Sequence, residues 1–340
     1  VMLWRLYTLT LKQVTQVPCG QCTVKSLQAR SISSSNTNLS KVTLSISMAA
    51  VISDAVFRQE TDLLSLAEKI KDDKPYSCSI YNQLILSTCG HLDWSDFFVL
   101  SNQTDSHIIL YVAKNKEDYG VHCLEEEVPL LVESLRSTHL IDWHNNMLCF
   151  FHVYEYLVPA MQELALDKVG RKFGSGPCNV YIFTDDKQLS CPSEFQIKLL
   201  GEAGIRRMFD TWKYSIYSDY SRFHRIARAG LACGVYQMLD SVAEAQNIIP
   251  KNIITASEEE IPLSWITMST YGALGLLMTD ENYRHKSLGS LVTQACGKLV
   301  HQQGFVPHVY IEDYNDPSIK MFEKLQWNKS HRATWLFMRT

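Results

Sequence analysis

Apolar residues recur at helical spacing in some segments and form short runs in others, and this pattern predicts alternating helices and strands. In the first half, Leu63, Leu66, Ala67 and Ile70 lie at the i, i+3, i+4 and i+7 positions of one helix face. Further helices are predicted over 124–135 and 156–169, and short apolar runs predict strands over 97–100, 107–112, 148–153 and 179–183. Such alternation is typical of an α/β or α+β layer fold.

The second half follows the same alternation. Helices are predicted over 203–216, 221–229, 288–299 and 317–325, and strands over 231–238, 263–269, 273–279, 306–311 and 333–338. A stretch rich in Gly and Pro at 170–192 separates the halves, and such stretches often mark domain boundaries. We therefore predict an N-terminal domain at 53–192 and a C-terminal domain at 193–340.

The amino-terminal segment differs in composition from the rest of the chain. Residues 1–53 contain no Asp or Glu, and Ser31 to Asn38 is rich in hydroxyl side chains. This composition is typical of an organelle transit peptide, although a segment upstream of an initiator at Met48 is an open alternative. We predict that 1–52 is a disordered or targeting leader and that the protein is intracellular, mitochondrial if the leader targets it and otherwise cytoplasmic.

Charge and composition exclude several classes of partner. A formal net charge of −4 argues against a general nucleic-acid binder, which needs a basic surface. No apolar run approaches the roughly 20 residues that cross a bilayer, so no membrane partner is expected. The Cys19–Cys22 pair has no second pair at suitable spacing, and we expect no metal cofactor. The sequence does not indicate an oligomeric state.

The segment from Tyr283 to Gly289 joins a predicted strand to a predicted helix. A helix N terminus leaves backbone amides unpaired and concentrates partial positive charge, so it can bind a phosphate or pyrophosphate. Ser287, Gly289 and Ser290 are small enough for close approach of a ligand, and Arg284 to Lys286 adds donors. Alone, such a helix start is more often structural.

Two motifs here resemble those of the GNAT superfamily of N-acyltransferases. Arg284-His285-Lys286-Ser287-Leu288-Gly289 is similar to the family's Arg-x-x-Gly-x-Gly, and Asn315-Asp316-Pro317-Ser318 is similar to its Asn-x-x-Ser/Ala. The resemblance covers residues 263–340 and, more faintly, 76–82, 94–100 and 140–143, which look like the two-domain glycine N-acyltransferase-like branch. It implies a GNAT fold, with a mixed, mostly antiparallel central sheet flanked by helices and an N-terminal GNAT-like α/β domain without a CoA site.

The resemblance also implies a co-substrate and the residues that bind it. The co-substrate would be acetyl-CoA or another acyl-CoA, and the acceptor a small amine or amino acid. Backbone groups of one strand would bind the pantetheine arm, backbone amides of the motif the pyrophosphate, and side chains of the following helix would line the other wall. The implied cofactor-binding residues are Leu276, Leu277, Met278, Arg284, His285, Lys286, Ser287, Leu288, Gly289, Ser290, Asn315, Ser318 and Phe322.

Three residues depart from the family pattern. Ser287 replaces the first motif glycine, Phe322 stands where many relatives carry a proton-donating Tyr, and Ala273 stands where glycine N-acyltransferases carry a Glu. The catalytic residues are therefore left unassigned. His308, Tyr310 and Glu312 share one strand face and are candidate substitutes, with a solvated or edge face as the alternative interpretation. Two functions remain open: an acyl-CoA-dependent N-acyltransferase, and a catalytically inactive acyl-CoA-binding or scaffold protein.

Overall fold

The computed structural model describes residues 55–184, 189–238, 246–247 and 252–338. We call residues 55–184 the front half and the later ones the back half. Both belong to one compact unit. The predicted leader at 1–52 and the Cys19–Cys22 pair lie outside the described residues. Among the described helices, none combines the length and apolar character needed to cross a membrane.

Helices and strands alternate along the chain as the hydrophobic pattern predicts. The helices are α1 (Leu63–Lys69), α2 (Cys78–Thr88), α3 (Val128–Ser137), α4 (Val158–Val169), α5 (Glu202–Thr211), α6 (Tyr220–Ile226), α7 (Leu288–Gln302) and α8 (Asp316–Lys324). The strands are β1 (Phe57–Glu60), β2 (Ser95–Leu100), β3 (Ile109–Ala113), β4 (Asp118–His122), β5 (Cys149–Tyr154), β6 (Gly174–Ile182), β7 (Ser190–Cys191), β8 (Phe195–Leu199), β9 (Ala232–Gln237), β10 (Gln246–Asn247), β11 (Ser264–Met268), β12 (Leu274–Thr279), β13 (His308–Glu312) and β14 (Asn328–Phe337).

The strands form two main sheets and one short pair. Eight strands pair in the order β1-β2-β3-β4-β5-β14-β6-β13, four pair in the order β12-β11-β9-β8, and β7 pairs with β10. The β4–β5 pair is parallel, whereas its neighbours in the large sheet pair antiparallel. Helices cover the sheets through four apolar clusters. This confirms the predicted fold class of a mixed, mostly antiparallel sheet flanked by helices.

The two halves exchange strands within the large sheet. The last strand, β14, pairs with β5 on one side and with β6 on the other, and β6 in turn pairs with β13. Each half thus places one strand between two strands of the other. The predicted domain boundary near residue 192 stays a prediction, and the hydrogen bonding of the sheet continues across it.

The apolar face of α7 is the part of the core that determines the position of the candidate site. Leu288, Leu291, Val292, Ala295 and Leu299 are all buried in one cluster with β9, β11 and β13, as their spacing predicts. Because burial of each such side chain stabilises the fold by about 1.5–3 kcal/mol, the helix start is held firmly beside the end of β12.

Helix α2 is the longest element that the hydrophobic pattern did not indicate. Its buried positions include Ser79, Asn82 and Gln83, so it lacks a simple apolar stripe. Asn82 Nδ2 donates to Gly272 O at 2.7 Å and to Val306 O at 2.9 Å, which fastens this helix to the back half. Hydrogen bonds to distant residues therefore hold α2 in place of an apolar face, and the hydrophobic pattern of the sequence does not indicate such a helix.

Candidate CoA-binding site

The candidate site lies where the two sheets meet. Strand β12 is one edge of the four-stranded sheet and β13 is one edge of the eight-stranded sheet, and the two strands contact each other. Hydrogen bonds join β12 to β11 and β13 to β6. The facing edges of β12 and β13 therefore present backbone N–H and C=O groups to the space between them, and an extended ligand can pair with such groups.

A β-bulge interrupts β12 at the predicted pantetheine-binding residues. The register passes from Trp265↔Met278 to Thr267↔Gly275, so that Leu276 and Leu277 together oppose the single Ile266. Leu276 has a φ of 56°, in the left-handed region. A bulge of this kind bends the strand and turns local N–H groups away from the ladder. Backbone donors are thereby available at the open edge.

The loop after β12 approaches α7 through two residues in left-handed conformation. His285 has a φ of 63° and Ser287 a φ of 59°, while Lys286 between them keeps a negative φ. Successive residues that alternate in this way form a concave group of amides that binds anions. The first α7 hydrogen bond runs from Leu291 N to Ser287 O at 3.0 Å, so the amides of 288–290 precede the intrahelical ladder.

Side chains around this loop fix its path and leave its surface accessible. Asp280 Oδ1 accepts from Asn282 N at 3.1 Å, and Asp280 Oδ2 accepts from Arg207 at 2.7 Å. The residues 284–287 are exposed, and Arg284 and Lys286 add positive charge to them. A helix N terminus with two cations beside it attracts a pyrophosphate.

Gly289 lies between β12 and α8, on the inner side of the helix start. A Cβ added there would lie 3.4 Å from Thr279 Oγ1 and 3.8 Å from Met321 Sδ. Both are ordinary van der Waals distances, so the fold itself does not require glycine at this position. The role of Gly289 in the approach of a ligand stays a prediction.

The second motif forms the N-terminal cap of α8. Asn315 Oδ1 accepts from Ser318 N at 3.3 Å, which explains the spacing of these two residues by local capping. Phe322 is buried between Tyr181 and Trp327, with ring-centroid distances of 6.0 and 4.9 Å. The proposed roles of Asn315, Ser318 and Phe322 toward CoA stay predictions, and in the protein these residues also organise α8 and its core.

The three candidate proton carriers on β13 have different environments. His308 is fully buried; its Nδ1 donates to Val306 O at 2.8 Å, and its Nε2 has no hydrogen-bond partner among the described residues. Burial lowers its pKa to about 4. Tyr310 stacks on His152 with ring centroids 3.4 Å apart, and burial raises the pKa of Tyr310 well above its usual value.

Glu312, at the end of the same strand, is half-buried and carries polar neighbours. Its carboxylate accepts from Tyr214 Oη at 3.0 Å and from Lys213 Nζ at 3.3 Å. Burial raises the Glu312 pKa, but the hydrogen bonds from Tyr314 and Tyr214 and the charge of Lys213 lower it further, and the net pKa lies below the usual value. β13 is an edge strand, as the alternative interpretation expected, but its polar face is largely buried.

The corresponding place in the front half has a different structure. There β4 precedes α3 as β12 precedes α7, yet β4 and β5 are hydrogen-bonded in parallel from Asp118↔Cys149 to Gly120↔Phe151. Three glutamates at 125–127 form a 3-10 turn before α3. Their charge opposes a pyrophosphate, whereas the start of α7 favours one.

Part of the back half matches the model of a known protein family. Residues 254–336 match the model of the family described as FR47-like protein, and this segment contains β11, β12, α7, β13 and α8. The matched segment is less than half of the chain. No curated protein matches the sequence.

Several solved structures match most of the chain. A Drosophila protein, whose description names no activity, has a TM-score of 0.66 at 15% identity, covering 83% of this chain and 98% of that chain. An acetyltransferase from the GNAT family of Colwellia psychrerythraea has a TM-score of 0.43 at 13% identity, over 83% and 98%. A GCN5-related N-acetyltransferase from Sphaerobacter thermophilus has 0.45 at 10% identity, over 84% and 96%. At these identities the first likeness shows the fold alone.

Proposed function

We propose that this protein is an acyl-CoA-dependent N-acyltransferase that transfers an acetyl or other acyl group to a small amine or amino acid. The observation that carries the proposal is the open pair of edges between β12 and β13, which leads to the amide-lined start of α7. The FR47-like match over 254–336 encloses both features.

Backbone groups do most of the proposed CoA binding. The amides of 288–290, together with the loop at His285–Ser287, would hold the pyrophosphate. The pantetheine arm would extend beside β12 and exchange hydrogen bonds with residues 276–278, as a peptide strand adds to a sheet edge. Because these contacts use the main chain, the replacement of the motif glycine by Ser287 is compatible with binding.

The thioester then lies near the bulge at Leu276. A neutral amine attacks the carbonyl carbon, the C–N bond forms, and backbone N–H groups at the bulge stabilise the oxygen that becomes negative. The C–S bond breaks and the CoA thiolate leaves, while the proton lost by the amine passes to a base or to water. Alignment of the two substrates can supply about 7–11 kcal/mol of the barrier.

Glu312 is our candidate for the proton acceptor. Tyr310 keeps its proton because burial raises its pKa. His308 is fully buried and therefore has no access to solvent. Glu312 stays ionised because its pKa lies below the usual value, and it is only half-buried. Its lowered pKa makes it a weak base, but as an ionised carboxylate at the accessible end of β13 it can accept a proton through water from an amine.

The experiment is an acyl-transfer assay with acetyl-CoA and longer acyl-CoAs against a panel of amines and amino acids. Mass spectrometry of the amide product is the readout of choice, because Cys89 of this chain is exposed and would react with thiol reagents. We expect amide formation above the enzyme-free rate with at least one pair. Absence of turnover with every pair, together with CoA binding, would contradict an enzymatic function.

Glu312→Gln separates binding from proton transfer, since it keeps the shape of the side chain. We expect turnover to fall by about 10²–10⁴-fold while CoA affinity stays the same. Glu323→Gln is the matched control, because Glu323 is an exposed carboxylate on α8 and should leave turnover unchanged. Equal loss in both variants would refute the role of Glu312.

A non-catalytic acyl-CoA-binding function is the second candidate. The burial of Phe322 in the core, at the place of a proton-donating Tyr in many relatives, favours it. CoA would then raise the melting temperature by mass action without any product. A melting temperature that CoA leaves unchanged would contradict both functions.

A further inference from the structure

A cluster of three metal-ligating side chains lies in the front half, apart from the candidate CoA site. Asp73 ends the 3-10 turn after α1, His107 lies just before β3, and His122 ends β4. Asp73 Oδ2 lies 2.6 Å from His107 Nδ1 and 2.9 Å from His122 Nε2. All three ligand atoms lie within 4.8 Å of one another.

The two histidines are held in place by main-chain structure. Strands β3 and β4 pair antiparallel with Ile109 opposite His122, which brings His107 to the same end of the hairpin. Glu127 Oε1 accepts from His107 N at 2.9 Å and from Ser106 Oγ at 2.7 Å, and thereby fixes the turn before β3. The cluster is thus built on paired strands instead of a free loop.

His122 also has the outer contact expected of a metal ligand. Its Nδ1 lies 2.7 Å from Tyr154 Oη, so the opposite nitrogen, Nε2, points to Asp73. Metal-binding histidines usually have their second nitrogen hydrogen-bonded in this way, which fixes ring orientation and tautomer. The side chain of His122 is fully buried and that of Asp73 is 10% exposed, whereas that of His107 is 26% exposed.

A cavity gives the cluster an open side. It has a volume of about 160 Å³ and is lined by Asp73, His122, Tyr76, Cys123, Leu124, Glu125 and Tyr156. The cavity has room for water or a small ligand at a further coordination position.

We propose that Asp73, His107 and His122 bind a divalent transition-metal ion, with Zn²⁺ as the best fit, and leave one position open to the cavity. Two imidazoles and one carboxylate form a ligand set that Zn²⁺ accepts, whereas Ca²⁺ and Mg²⁺ prefer oxygen ligands alone. A pattern of three protein ligands with one open position is typical of catalytic zinc sites.

Binding requires only a small movement. Ligands about 2.0–2.1 Å from Zn²⁺ lie roughly 3.3 Å from one another in a tetrahedron, so the two present hydrogen bonds lengthen by less than about 1 Å. The two imidazole nitrogens, which lie within 4.8 Å of each other, approach by at most about 1.5 Å. The ion takes the place of the two N–H groups that face Asp73, and each neutral imidazole carries its single proton on the opposite ring nitrogen, which in His122 is Nδ1 and then donates to Tyr154 Oη. The competing arrangement is a purely hydrogen-bonded cluster in which both imidazoles donate to Asp73.

The test is a Zn²⁺ titration of the full chain, stripped of metal, in competition with a chromophoric chelator. We expect one tight site per chain, and a Zn²⁺-dependent rise in melting temperature. His107→Gln and Asp73→Asn should each lower the affinity by more than about 100-fold, since loss of even an outer partner costs 10–100-fold. His144→Gln is the matched control, because His144 is exposed elsewhere in the front half, and it should bind as the unsubstituted protein does.

His107→Gln is the primary variant because His107 is the most exposed of the three, and circular dichroism verifies its fold. Unchanged Zn²⁺ affinity in folded His107→Gln and Asp73→Asn proteins would overturn the proposal, and so would the lack of any tight site. Co²⁺ gives a second readout: a thiolate charge-transfer band would assign the metal to cysteines instead. None of these outcomes depends on CoA binding.

Discussion

Ser287 departs from the motif that segment 284–289 resembles, and its backbone conformation is unusual for a residue with a side chain. Its φ of 59° lies in the left-handed region, where a residue with a Cβ costs about 1–2 kcal/mol relative to glycine. His285 has a similar φ of 63°. The loop therefore keeps a conformation that its side chains disfavour, which is typical of a site whose amides must face a ligand.

At this scale we predict that Gly289→Val weakens CoA binding by at least about tenfold, or about 1.4 kcal/mol. The branched side chain would extend toward the pyrophosphate. The fold itself accepts a Cβ at this position, because the nearest protein atom would lie 3.4 Å away. Isothermal titration calorimetry with CoA is the measurement. Ser287→Gly, which relieves backbone strain, serves as the control and should retain binding; equal affinity in a folded Gly289→Val protein would mean that the site lies elsewhere.

The buried His308 predicts a loss of stability in mild acid. The unfolded chain binds a proton on this imidazole below a pKa of 6.5, whereas the folded protein does so only below about 4. Between these values the unfolded state binds more protons, so the free energy of unfolding falls as the pH falls, by up to about 3 kcal/mol from this group. His308→Asn keeps a donor for Val306 O and should flatten the dependence in urea unfolding at several pH values. An equally steep dependence in that variant would assign the acid sensitivity to other groups.

At the scale of elements, the same order of strand, helix and strand occurs in both halves, but β12 and β13 are not hydrogen-bonded to each other, whereas β4 and β5 are. In both, a strand leads into a helix and a second strand follows it. Parallel hydrogen bonds join β4 to β5, whereas β12 and β13 belong to different sheets. The glutamates at 125–127 and the cations at Arg284 and Lys286 give the two helix starts opposite charge.

We therefore predict that CoA slows amide hydrogen exchange in the back half only at two places, residues 276–278 and 285–290. Hydrogen bonds to the ligand and exclusion of water protect these amides, and the start of α3 in the front half should exchange at an unchanged rate. Hydrogen-exchange mass spectrometry with and without CoA is the measurement. Protection at the start of α3 without protection at 285–290 would place the ligand in the front half.

At the scale of the whole molecule, the exchange of β6 and β14 couples the two halves. Leu336, two residues from the end of the described chain, is fully buried in the core of the front half with Leu131 and Phe150. The last strand of the back half thus completes the core of the front half. Neither half can retain its full sheet when the other unfolds.

This coupling predicts that Leu336→Ala destabilises the whole described unit by about 2–5 kcal/mol, with one cooperative transition. The cavity lies in the front half, yet tryptophan fluorescence and circular dichroism should report the same midpoint in urea. Leu166→Ala on α4, where the residue is 49% exposed, is the matched control and should cost less than about 1 kcal/mol. Two separate transitions would show that the halves unfold independently.

The sequence by itself determined the local elements and the motif segment. Positions along α7, the β11–β12 pair and the segment 284–289 were predictable because helix and strand periodicity, and the chemistry of a helix start, depend on neighbours only a few residues away. Helix α2 was not predictable in this way, because its buried Ser79 and Asn82 bond to distant parts of the chain.

The tertiary structure alone decided which distant residues meet. The cluster of Asp73 with His107 and His122 joins residues 34 and 49 positions apart, and sequence spacing carries no signal for it. The insertion of β14 between β5 and β6 likewise depends on pairing and burial over the whole sheet. Such contacts form because packing minimises the exposed apolar surface of the whole chain, and no local rule specifies which partners satisfy it.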